Sequence, residues 1–198
     1  MTSDLSITKL SVGPMDNNAY LLRCRSTGEG VLIDAANEPS RLLSLIGPEG
    51  ISAVVTTHRH ADHWQALSEV VSATGAASLA HAADAPEIPV VTDTLAEGDV
   101  VSVGSCRLSV IHLVGHTPGS IALYYEPDGG HLFTGDSLFP GGPGRTTNPT
   151  DFNSLMDDLE EKVFGPLPDS TVIYPGHGKD STLGTERPSI PEWRARGW

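Results

Sequence analysis

Four short apolar runs in this 198-residue chain each end on a side chain able to hold a metal ion. ISAVVTT leads into His58, LSVIHLVG into His116, GGHLFTG into Asp136 and STVIYPG into His177. Runs of this length, rich in β-branched residues, read as buried strands. Strand ends hold side chains rigidly, so the chain is constrained to a fold that aims distant strand termini into one crevice. Imidazole and carboxylate donors without a thiolate suit Zn, Fe or Mn in an open site and not a closed structural zinc site.

The first run continues into His58-Arg59-His60-Ala61-Asp62-His63. His58 and His60 lie two apart in extended backbone, project to the same side and can chelate one ion. Asp62 and His63 fall at the expected start of a helix, turned toward a neighbouring position. One compact loop therefore feeds two adjacent cations. The plain alternative is a loop of solvated histidines, and four strand-end donors arriving independently argue against it.

The remaining pattern predicts strands over 5–12, 19–25, 30–34, 51–56, 76–80, 99–103, 107–114, 120–125, 131–134 and 171–174. Helices are expected over 39–46, stopped by Gly47-Pro48, over 62–74 before Gly75, and over 152–164 behind a cap at Thr150 or Asp151. Strand pairs in hairpins, and strands alternating with helices, imply a layered α/β chain. No repeat or linker divides it, so a single domain spanning residues 1–198 is expected.

Charge narrows the partners. Twelve Lys and Arg against 25 Asp and Glu give a net charge of −13, with no basic cluster to neutralise phosphates. Nucleic acid and anionic membrane surfaces are thereby excluded as partners. The opening MTSDLSITKL has no basic stretch leading into an apolar core, and no run approaches a membrane span, so a cytoplasmic protein is expected. Cys24 and Cys106, in apolar or alternating segments, are expected as reduced core thiols.

The motif His58-x-His60-x-Asp62-His63, with His116 in GHTPGS, Asp136 in FTGDSLF and His177 in PGHG, resembles the metallo-β-lactamase-fold hydrolase superfamily. The likeness runs from DNNAYLL and GVLIDAA to GHGKDSTLG. It implies a four-layer αβ/βα sandwich with the metal site at one edge of the sheets. Carried over residue by residue, His58, His60 and His116 hold one divalent ion, Asp62, His63 and His177 a second, and Asp136 bridges them. The implied cofactors are two divalent metal ions, Zn first, with Fe or Mn as alternatives. Within the superfamily, GDSLFPGGPGRT is similar to the glyoxalase II group, which implies a small-molecule thioester as substrate. With 21 residues after His177, the C-terminal helical domain of full-length glyoxalase II is not expected, and Ser120 stands where that group often has His.

A water shared by two such cations should ionise near or below pH 7, since one zinc already lowers its pKa to about 7. The resulting bridging hydroxide is the expected nucleophile, with Asp62 and Asp136 as the carboxylates serving it. No G-x-S-x-G elbow offers a serine instead. A thioester suits such a site because a thiolate departs without strong acid assistance. Among further candidates, Asp34 could hydrogen-bond a ligating histidine from behind or cap a turn. Arg145 could meet a substrate carboxylate or pair with a local acid, and Tyr174 could line the pocket or fill the core. His112 reads as a packed core residue, His81 and His131 as surface residues, and Trp193, Arg194, Arg196 and Trp198 as a packing tail. Two other functions stay open here. One is a persulfide dioxygenase holding a single Fe(II) through a pattern like His58, His116 and Asp136; the other is a non-catalytic metal-binding protein.

Overall fold

Leu5–Val12 (β1) and Asn17–Cys24 (β2) pair antiparallel across the Gly13-Pro14 turn in the computed structural model, which describes residues 4–197. Gly30–Ile33 (β3) adds antiparallel to β2. Pro39–Ile46 (α1) then crosses to Ala53–Thr56 (β4), Leu67–Thr74 (α2) to Ala77–His81 (β5), and Asp93–Leu95 (β6) completes a sheet ordered β1-β2-β3-β4-β5-β6. From β3 to β6 all pairings are parallel, so their carboxyl ends share one edge.

The second sheet begins as a meander: Val100–Val103 (β7), Cys106–His112 (β8), Ile121–Tyr125 (β9) and His131–Gly135 (β10). Leu138–Phe139 (β11) and Gly142–Pro143 (β12) make a small hairpin, followed by Pro149–Asp158 (α3). Val172–Pro175 (β13) returns parallel to β10, and Ser181–Thr182 (β14) closes the order β14-β13-β10-β9-β8-β7. Leu183–Glu186 (α4) and Ile190–Arg196 (α5) follow. The four-layer sandwich expected from the sequence is the architecture observed.

Side-chain alternation explains the layering. Val31 and Ile33 of β3, Val55 of β4 and Phe133 of β10 point between the sheets, where Tyr20, Leu22, Leu108, Ile121 and Leu123 meet them. Leu32 and Val54, one residue out of phase, point outward onto Leu42 and Ile46 of α1 and Leu67 and Val70 of α2. Leu132 and Ile173 do the same on the far face, against Phe152, Leu155 and Trp193. Strands buried on both faces need near-continuous apolar runs, which is why these segments lack a polar alternation. Each fully buried aliphatic side chain contributes about 1.5–3 kcal/mol.

Several expectations are corrected. The helix expected over 62–74 is broken: Ala61–His63 forms one 3-10 turn, and α2 starts only at Leu67. Gln65 and Ala66 donate their amides to the carbonyls of Ala36 and Ala35, so those amides are lost to a continuous helix. The cap of α3 is Asn148, whose side chain accepts from the Asp151 amide at 2.9 Å with Pro149 at the first helical position. The helix continues into a π-helical stretch, Leu159–Phe164. Short strands β6, β11, β12 and β14 and the terminal helices lie outside the sequence pattern because most are too short for a period to register. His81 is buried, not a surface residue, and its ring stacks on the half-buried His112 with centroids 3.8 Å apart. In the tail, Trp193 packs beside Phe164, and Arg194 pairs with Glu160 and Asp157; Trp198 lies outside the described residues.

Candidate metal centre

The carboxyl ends of β3, β4, β10 and β13 deliver Asp34, His58, Asp136 and His177 to the same edge, and Ile121 ties the sheets together there through its amide to the Thr57 carbonyl at 3.0 Å. The rings of His58, His60 and His116 stand nearly perpendicular to one another with centroids 4.7–4.8 Å apart, a tripod with one mouth. Beside it, His63 Nε2 and His177 Nε2 lie 3.2 Å apart, with Asp62 Oδ2 at 3.5 and 3.3 Å from them. Asp136 stands between the groups: Oδ1 is 3.4 Å from His63 Nε2, while Oδ2 is 3.4 Å from His177 Nε2 and 3.7 Å from His116 Nε2. All seven residues singled out by the sequence therefore meet in one cluster.

The histidines are held from behind. His116 Nδ1 is 2.7 Å from the Arg145 carbonyl and His177 Nδ1 is 2.9 Å from the Met15 carbonyl. A carbonyl only accepts, so both Nδ1 atoms carry the proton. Asp34 accepts from Thr57 through its amide and hydroxyl, both at 2.8 Å, and from His63 Nδ1 at 2.8 Å. With its hydroxyl hydrogen committed to Asp34, Thr57 Oγ1 is left to accept from His58 Nδ1, 3.1 Å away. These contacts leave the Nε2 lone pairs of His58 and His116 facing the cluster interior.

Electrostatics follow from the same contacts. Burial, with the neighbouring histidines, keeps His58 well below the ordinary imidazole range and lowers His116 as well, which favours neutral rings able to donate electron pairs. Burial opposes charging of His63, but Asp34 and Asp136 outweigh it and raise that ring to about 10. The hydrogen bond to Asp136 lifts His177 as well. Burial would push Asp136 up, yet the close imidazoles of His177 and His63 hold it far below the usual carboxylate value.

Whether these residues fit a metal is tested by what they leave unsatisfied. His58 Nε2, His116 Nε2 and Asp136 Oδ1 are buried and make no hydrogen bond. Buried polar atoms are nearly always paired, and three orphans aimed into one nitrogen-and-oxygen cluster fit a cation. Gly176 reinforces the reading. A Cβ there would overlap Asp136 Oδ1 and His63 Cε1, so the backbone of the strand end passes directly against the cluster.

Two supporting residues escaped the sequence reading. Asn17 donates Nδ2 to Asp62 Oδ2 at 2.9 Å, and its backbone bridges to His177. Buried Asp84 accepts from the Arg59 amide at 2.9 Å, the Gly119 amide at 2.8 Å and the Thr117 hydroxyl at 2.5 Å, fastening the His60 loop to the His116 loop. The DNNAYLL segment was a signal for Asn17; an Asp in AADAP offered none for Asp84. Arg145 is exposed and borders a cavity of about 480 Å³ with Thr147, Phe152 and Arg196, next to the cluster through its own carbonyl. The structure does not bring Tyr174 to the site: its half-buried ring stacks on Phe133 at 4.9 Å against the core, and its hydroxyl meets the half-buried His131 Nδ1 at 3.0 Å.

Comparison with known proteins agrees with this geometry. A family model described as the metallo-beta-lactamase superfamily matches residues 12–177. A hydroxyacylglutathione hydrolase of Cereibacter sphaeroides is 38% identical over 164 residues, which are 82% of this chain and 62% of that protein. The chain thus spans under two thirds of that relative's length. The crystal structure of TTHA1623 in a di-iron-bound form superposes with a TM-score of 0.79 at 32% identity, covering 94% of this chain and 100% of that one. ETHE1 from Myxococcus xanthus gives a TM-score of 0.82 at 28% identity, covering 94% and 83%.

Proposed function

This chain belongs to the metallo-beta-lactamase superfamily, whose members bind divalent metals, and we propose that it is a metal-dependent hydrolase of small thioesters. The observation that carries the proposal is the trio of buried, unpartnered donors on His58, His116 and Asp136 inside a seven-residue cluster. The likeness to hydroxyacylglutathione hydrolases supports the thioester as the bond attacked.

His58, His60 and His116 would hold one cation and Asp62, His63 and His177 the other, with Asp136 between them; zinc suits this donor set, and iron or manganese are compatible with it. Two bound cations supply Lewis acidity and a water acidified to near neutral pH. The chain's own residues do the rest. The Arg145 and Met15 carbonyls and Asp34 fix the imidazoles so that Nε2, not Nδ1, faces the substrate side. Asp136 and Asp62 hold negative charge against the cluster and offset the cations, and Asn17 keeps Asp62 turned inward. Arg145, which lines the 480 Å³ cavity, would meet an anionic group on the substrate away from the scissile bond.

The test is a panel of thioesters and persulfides assayed with metal-quantified protein. Thioester hydrolysis with more than one metal equivalent per chain is expected. One equivalent of iron with oxygen consumed on a persulfide, and no thioester turnover, would overturn the reading. Asp136→Ala should abolish turnover and lower metal content, while Arg145→Ala should raise KM and leave metal content unchanged.

A further inference from the structure

A second cluster of metal-type donors lies at the opposite end of β2. Seven residue steps separate Asn17, which touches the cluster described above, from Cys24, a span of about 23 Å at the usual strand rise. There Cys24 of the first sheet faces Cys106, the first residue of β8 in the second. Both thiols are buried and unbridged. Asp4 joins them, its Oδ2 lying 3.2 Å from Cys24 Sγ, and the three donor atoms all fall within 4.8 Å of one another.

We propose that Asp4, Cys24 and Cys106 form a binding site for one thiophilic divalent cation of the Zn²⁺ and Cd²⁺ class, separate from the histidine-rich centre. Two sulfurs on a tetrahedral zinc sit about 3.8 Å apart, given Zn–S bonds of ~2.3 Å, so the present spacing needs to close by about an ångström at most. Thiolate ligands select zinc-like or softer ions, whereas the nitrogen and oxygen donors of the other centre do not discriminate in this way. A thiol must lose its proton to bind, so capture of a cation here releases protons; until then burial holds the Cys106 thiol above the ordinary value. Two thiolates and a carboxylate in so small a volume repel one another, and a divalent cation removes that repulsion.

The site is also built and reachable. Ser26 and Ser105 donate to Asp4 Oδ2 at 2.5 and 2.8 Å and lie 3.1 and 3.2 Å from Cys24 Sγ, so they orient the carboxylate toward the sulfur. Gly104, at φ 58°, lets the β7–β8 turn press onto Cys24; a Cβ there would stand 2.8 Å from Cys24 Cβ. A cavity of about 410 Å³, bordered by Asp4, Ser105, Cys106 and Arg107, leads to the donors from outside.

Cys24 and Cys106 are the chain's two cysteines, so a thiolate-to-metal charge-transfer band reports on this site alone. The full chain, reduced and with its histidine centre saturated with Zn²⁺, is titrated with Cd²⁺ in the ultraviolet. A band saturating at one equivalent is expected, with both thiols shielded from dithionitrobenzoate as it grows. Cys24→Ser should remove about half the intensity. Asp4→Asn, which keeps both sulfurs and the core, should weaken Cd²⁺ binding by at least about tenfold, since losing even an outer partner of a ligand costs that much. No band from a protein whose two thiols titrate fully after unfolding would overturn the proposal. So would an Asp4→Asn variant that binds as the parent does, or a Cys24–Cys106 disulfide in protein isolated without reductant.

Discussion

Asp34 Oδ2 lies 2.8 Å from His63 Nδ1, and both side chains are withdrawn from solvent. The same carboxylate holds the amide and hydroxyl of Thr57, so one residue in the left-handed conformation, at φ 57°, orients the end of β4 and a ring on the far side of the loop. Asp34→Asn keeps the shape but sets an amide NH₂ against groups that already donate. Metal affinity at the position served by His63 should fall by about 10–100-fold, the usual cost of losing such a partner. Competition with a chelator of known affinity measures it.

Cation binding should release protons. His63 is raised to about 10 by Asp34 and Asp136 against the opposing effect of burial, so it carries a proton near pH 7 that a metal must displace, and His177 is shifted in the same direction. Calorimetric titration of stripped protein in buffers of different ionisation enthalpy should give a slope corresponding to net proton release. A slope of zero would contradict the charge state described.

The stripped protein should also lose stability as the pH rises. A ring whose folded pKa is about 10 against an ordinary 6.5 contributes stability fully present below 6.5 and lost as pH climbs through 10. The urea midpoint should therefore drop between pH 7 and 10, and drop less in His63→Gln.

Gly176→Ala places a methyl where Asp136 Oδ1 and His63 Cε1 already stand. Overpacking of this kind costs about 1–3 kcal/mol, and here the relief must come from moving a cluster residue. Metal content and turnover should fall together, with a modest drop in Tm. Normal metal content would show that the strand end yields instead.

Asp84→Ala leaves the amides of Arg59 and Gly119 without their acceptor, while the Thr117 hydroxyl can turn to Ser120 Oγ, 2.6 Å away. Each orphan costs about 1–3 kcal/mol, less whatever water recovers, so a loss of about 2–4 kcal/mol is expected in denaturant unfolding. Affinity for the cation at the three-histidine position should weaken with it, because His60 and His116 ride on the two loops that Asp84 joins.

The layered fold and the cluster were legible because each rests on a local signal. Two-sided apolar runs such as AVVT mark β4, and a metal-type residue at a run's end marks what that strand presents. Asp84 was not legible, since its role depends on Arg59 and Gly119, 25 and 35 residues away, coming within reach. Tyr174 looked available beside His177, but strand alternation lays its half-buried ring against Phe133 of the core. The break before α2 was hidden because Trp64 and Leu67 continue an apolar pattern while the amides of Gln65 and Ala66 are spent elsewhere.

The rings of His63, His116 and His177 are each steadied by the chain itself, through Asp34, Arg145 and Met15. Nothing in the hydrophobic layers depends on a cation to keep those anchors in place. The ordering entropy of the ligands is thus met during folding and not at the moment of capture, the reverse of a small zinc module that collapses without its ion. Exchange of one ion for another then requires no unfolding, so under the proposed function the metal loaded would follow local supply as much as the chain's own preference.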